Sequence, residues 1–125
     1  MRVPLPFEKE SISVSEMLEN INWYLSKCDE AYSYLEEDKR TAMEILKSIN
    51  SYLEKEHHHY NLAKVSKKVF GTENELLFIE YESAISNAFV KQNRKTSYSA
   101  LSSNLYDVQD YLSDFKYRME AKLNK

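Results

Sequence analysis

Apolar residues recur along this chain in four stretches, each with the spacing of one face of a helix. Leu18, Ile21, Leu25, Cys28, Tyr32 and Leu35 follow at intervals of 3, 4, 3, 4 and 3. This heptad seam predicts a helix that starts at Ser13 or Ser15, where Ser13-Val-Ser-Glu16 forms a capping box, and runs to about Glu37. Asp38-Lys-Arg-Thr41 interrupts the pattern, and Thr41-Ala-Met-Glu44 offers a second capping box. Ile45, Leu46, Ile49, Tyr52 and Leu53 then lie on one face. The pattern fades over 55–61 and resumes at Leu62, Val65 and Val69, which predicts a bend or a stutter. Gly71 suits the C′ position that ends this second helix.

Thr72 is placed to cap a third helix with Glu73 and Glu75 in its first turn. Its apolar arc is Leu77, Phe78, Tyr81, Ala84, Ile85, Ala88 and Phe89. A polar connection over 91–96 leads to a fourth helix. That helix carries Tyr98, Leu101, Leu105, Val108, Leu112, Phe115 and Met119 at intervals of 3, 4, 3, 4, 3 and 4. The fold expected is an all-α antiparallel bundle of about four amphipathic helices, residues 13–125, behind an extended arm, residues 1–12, in which Pro4 and Pro6 disfavour helix.

Composition agrees with helices and narrows the chemistry. One glycine and two prolines in 125 residues leave few turn-formers for hairpins, so β folds are disfavoured. No apolar run is long enough to span a membrane, and the proline-broken start does not read as a secretory signal. A lone Cys28 in a helical seam reads as inert packing and fits a reducing, cytoplasmic setting. Charge is uneven: residues 8–38 hold 9 acids against 2 bases. Such an acidic start argues against nucleic acid as the main partner and suits a protein with a basic surface.

The three histidines are adjacent, in Lys-Glu-His-His-His-Tyr over 55–60. Glu54 with His57, and Glu56 with His59, have the Glu-x-x-His spacing of helix-bundle metal sites. The two pairs are offset by two residues and point to opposite sides of the helix, and no other helix supplies a histidine. A metal-binding bundle using Glu54, Glu56, His57, His58 and His59 is therefore the second reading, behind a polar helix segment in which Glu56 or His59 is satisfied by hydrogen bonds. None of Arg2, Arg40, Arg94 and Arg118 has a histidine four to six residues later, which removes the helical-nuclease pattern. The basic helix ends, Lys64, Lys67 and Lys68 and then Lys91, Arg94 and Lys95, support a third, nucleic-acid-associated reading. No phosphate loop or catalytic triad is present, so neither an enzymatic site nor a cofactor is expected.

Trp23, Tyr34, Tyr106 and Tyr117 fall off the seams. Exposed Trp and Tyr are the residue types that anchor protein interfaces. The leading expectation is a small non-enzymatic bundle that binds another protein through these four residues, as an inhibitor, immunity protein or accessory subunit would. Long helices with narrow seams also pair between identical chains, so a homodimer is a further expectation.

Overall fold

The computed structural model describes residues 14–62, 71–91 and 98–123, with the side chains of 15–58, 79–89 and 99–121. Four helices account for nearly all of them: α1 (Val14–Tyr34), α2 (Lys39–Leu62), α3 (Gly71–Lys91) and α4 (Leu101–Leu123), the last preceded by a 3-10 turn, Tyr98–Ala100. They form a four-helix bundle in which each helix packs on two neighbours, in the order α1–α2–α3–α4 and back to α1. Cross-helix pairs give the directions. Asn20 meets Glu56 while Trp23 meets Tyr52, so α2 runs antiparallel to α1. Asp29 meets Gln109 on α4, and Arg118 of α4 reaches back to Glu80 of α3. The expected arm, residues 1–12, lies outside the described residues, as do Ser13 of the first capping box and the Val65 and Val69 positions.

Helix α1 stops at Tyr34, earlier than the seam predicts, and a turn over 35–37 leads into α2. Asp38, rather than Thr41, caps α2. The Thr41 amide donates to Asp38 Oδ1 at 3.2 Å, the Thr41 hydroxyl donates to Oδ2 at 2.6 Å, and the Asp38 carbonyl accepts the first helical bond from Ala42. Thr41 at the third helical position thus answers the cap instead of forming it. Its hydroxyl and amide hold the Asp38 carboxyl below its usual range. Helix α2 runs unbroken through 55–61. Gly71 is helical, the first described residue of α3, and so is not the C′ residue expected after α2.

From Leu101 on, the α4 seam is as the spacing predicts: Leu101, Leu105, Val108, Leu112, Phe115 and Met119 are all buried, while the Tyr98 side chain lies outside the described residues. On α1 the buried face is turned. Met17, Ile21, Tyr24, Cys28 and Ala31 form its centre at heptad spacing, while Leu18, Leu25, Tyr32 and Leu35 are only partly buried beside it. The cause is that α1 packs on both α2 and α4, so its buried arc is wider than a single seam. Trp23 falls within that arc. It is 5 % exposed, edge-on to Tyr52 at 5.1 Å and to Tyr24 at 5.4 Å, with Lys27 Nζ over its ring at 5.8 Å. Trp23 is therefore core, and the expectation that it anchors an intermolecular interface is corrected.

Two measurements check this. Trp23→Ala and Leu105→Ala should each cost roughly 2–5 kcal/mol in a denaturant melt; a melt unmoved by Trp23→Ala would return that residue to the surface. Asp38→Ala should lower the melting temperature at neutral pH. Because the folded-state pKa of Asp38 is depressed, its stabilisation is present above the ordinary carboxylate range and is lost as pH falls through the folded value. The gap between wild type and Asp38→Ala should narrow in acid, and a gap independent of pH would mean that the Asp38 charge contributes nothing.

Candidate functional site

The heptad that buries α2 is Ala42, Leu46, Ile49, Leu53 and then Glu56. The fifth position of an otherwise apolar stripe is thus a carboxylate, and it is 1 % exposed. Two other helices supply its partners. From α1, Tyr24 Oη donates to Oε2 at 2.7 Å and Asn20 Nδ2 donates to Oε1 at 3.0 Å. From α3, Tyr81 Oη donates to Oε1 at 2.7 Å and itself accepts from Asn20 Nδ2 at 3.2 Å. Asn20 and Tyr24 lie one helical turn apart on one face, which lets both reach the same carboxylate. The Tyr81 ring is also edge-on to Phe115 of α4, at 5.6 Å. Asn20, Tyr24 and Tyr81 are each at most 1 % exposed. A carboxylate without partners here would be strongly destabilising, and short bonds from hydroxyl donors are what make its burial tolerable.

The next residue on α2 turns outward toward α3. His57 Nδ1 lies 2.8 Å from Ser86 Oγ, and its ring sits over Phe89 at 5.0 Å. The pair is partly buried. Ser86 stands within α3, where backbone amides are committed to the helix, so no ready oxyanion donors accompany it. The contact reads as a clasp between α2 and α3. His58 is exposed and edges Phe89 at 6.2 Å, Glu54 is exposed, and the His59 side chain lies outside the described residues. His57 and His58 thus share the edge of Phe89, their ring centroids 5.4 Å apart, while Glu56 is committed to the interior. Among the described residues no three His, Cys, Asp or Glu side chains converge where a metal ion would sit. Cys28 is wholly buried, and burial first, then Asp29, pushes its thiol up to about 12, far from a reactive thiolate.

The three remaining off-seam tyrosines are exposed: Tyr34 by 37 %, Tyr106 by 60 % and Tyr117 by 75 %. Tyr34 is at the C-terminus of α1. Tyr106 and Tyr117 are eleven residues apart on α4, three turns and about 16 Å, on the side opposite the buried seam. The structure brings these two onto one stripe and leaves Tyr34 on another helix. None of the described helices is long and apolar enough to cross a membrane.

Asn20, Tyr24 and Tyr81 were not singled out by sequence as site residues. The usable signal was the continuation of the α2 heptad onto Glu56: a carboxylate in a seam demands donors, and Tyr and Asn at seam positions of other helices are where to look for them. No protein-family model, curated protein or solved structure matches this chain.

The Glu56 cluster yields a graded stability series. Glu56→Ala should cost roughly 3–5 kcal/mol, because three buried donors lose their acceptor. Tyr24→Phe and Tyr81→Phe should cost about 1.5–3 kcal/mol each, as for hydrogen bonds to a charged group. Urea melts of the four proteins check the order, and a Glu56→Ala protein as stable as wild type would remove the cluster from the fold's energetics.

Proposed function

We propose that this protein is a non-enzymatic, protein-binding helical bundle that engages another protein through the outer face of α4. The observation that carries the reading is the pair Tyr106 and Tyr117. Both are more than half exposed, on a helix whose apolar seam is already fully buried on the other side. A tyrosine presents a large, stiff contact surface with a polar end, and it is enriched among residues that dominate binding energy. Among the described residues, nothing in the packing of α4 requires an aromatic at either position. The exposed tyrosine at the end of α1, Tyr34, is a separate and smaller contact.

The acidic start of the chain suits a partner with a basic surface. Residues 14–38 hold seven acids and one base, and that base, Lys27, is already 3.1 Å from Glu30. An inhibitor, an immunity protein or an accessory subunit works in this way, by covering a surface and not by turning over a substrate. A homodimer through the same stripe is the competing occupant.

Site-specific photo-crosslinking in the cells the protein comes from tests the reading. A photoreactive residue at position 106 or 117 should trap the same protein, while one at exposed Glu54 should not. With that partner purified, Tyr106→Ala and Tyr117→Ala should each lose about 2 kcal/mol or more of binding with an unchanged thermal melt. Crosslinks of equal yield at all three positions, or binding indifferent to both tyrosines, would defeat the proposal.

A further inference from the structure

The outward face of α4 carries a second heptad. Ser103, Tyr106, Asp110, Ser113, Tyr117 and Glu120 follow at intervals of 3, 4, 3, 4 and 3, and every one of them is exposed. That spacing makes a nearly straight line along a helix, and a second helix crossing at a shallow angle can follow it over several turns. The line alternates large and small: Tyr106 and Tyr117 stand out, while Ser103 and Ser113 leave room for the side chains of an opposing helix. The stripe also has one sign of charge. Asp110 and Glu120 lie on it and Asp114 lies beside it, and none of its six positions is a lysine or arginine; Lys116, partly buried, flanks it on the side of Gln109. The nearest guanidinium, Arg118, is engaged by Asp114 at 3.2 Å and by Glu80 at 3.8 Å. The adjoining edge of α1 adds Asp29, which takes a bond from Gln109 across the α1–α4 contact at 3.4 Å, whereas Glu30 is paired with Lys27 at 3.1 Å.

We infer that the occupant of this face is a single basic α-helix of another protein, laid along α4 with small residues opposite Tyr106 and Tyr117 and with Lys or Arg flanking them. The inference rests on the protein-binding reading of the same face and adds the form and charge of the partner. A second copy of this chain is the poorer occupant. Two copies of the stripe placed face to face bring acids against acids, and like charges across an interface are a standard device for rejecting a partner. A basic helix meets the same acids with opposite charge and accepts the tyrosines over its aliphatic stems, including by cation–π contact.

The test uses the full chain as bait and a displayed library of helix-forming peptides as the probe, randomised at the positions that would face and flank the stripe. The expected result is enrichment of helices with small residues three turns apart and Lys or Arg beside them. Their affinity should fall steeply with salt, drop at least about tenfold in Tyr106→Ala or Tyr117→Ala, and drop similarly in the double variant Asp110→Lys, Glu120→Lys. A Glu54→Lys protein should bind as wild type does. Enriched helices that are neutral or acidic, yet still lost with the tyrosines, would overturn the basic-helix inference and leave the protein-binding reading standing. Enrichment that ignores both tyrosines would overturn the two together. Sedimentation showing a wild-type dimer that Tyr117→Ala dissociates would assign the face to a second copy and overturn the inference as well.

Discussion

A single carboxylate in the interior governs how three of the four helices meet. Glu56 is on α2, its donors Asn20 and Tyr24 are on α1, and Tyr81 is on α3. An apolar seam tolerates a slip of one turn with some loss of packing. A buried carboxylate does not, because a slip by one turn in α1 or α3 would leave both the acid and its donors without partners in a medium that cannot solvate them. The cluster therefore acts on register more than on total stability: a buried polar group of this kind is often no more stabilising than an apolar replacement of equal volume. The fourth helix is drawn in without polar contact, through Phe115 against the ring of Tyr81.

Around Glu56 the filling is bulky: Met17, Tyr24, Tyr81, Phe115 and Met119 are all fully buried. On either side of the α1–α2 turn, Ala31 and Ala42 are buried together with the larger Met43 and Leu46. The Asp38 cap fixes the chain at this turn, where the change of direction from α1 to α2 is made within a few residues.

How much of this was legible in the sequence differs from helix to helix, for physical reasons. The α4 seam could be read outright, because its buried positions are all apolar apart from Asn104. On α1 the apolar spacing pointed to the Leu18–Leu25–Tyr32 edge, whereas the buried centre runs through Met17, Tyr24 and Ala31. Leucines on the flank outweigh an alanine and a tyrosine at the centre when periodicity is judged by hydrophobicity alone. The α2 pattern seemed to fade at 55–61 because its next seam residue is Glu56, and a carboxylate scores as surface whatever it is bonded to. The helix start at 39–41 was misread for a simpler reason: Asp38 and Thr41 both suit a cap, and only the direction of their hydrogen bonds separates them.

Trp23, Tyr106 and Tyr117 looked alike in sequence, each an aromatic away from its seam, yet the structure separates them by angle. At 100° per residue, Trp23 lies roughly 100° from the centre of the buried arc of α1, while Tyr106 and Tyr117 lie roughly 145–165° from that of α4. In a bundle each helix is flanked by two others at right angles around the square, so a large side chain about 100° off centre still lands on a neighbour. Trp23 does so, on Tyr52 of α2. Beyond that angle no flanking helix reaches, and a side chain stays in solvent whatever its size, as Tyr117 does at 75 % exposure. Folding thus buries the tryptophan and, among the described residues, leaves the two tyrosines of α4 exposed; the proposal of a helix docked on that face takes this difference as its starting point.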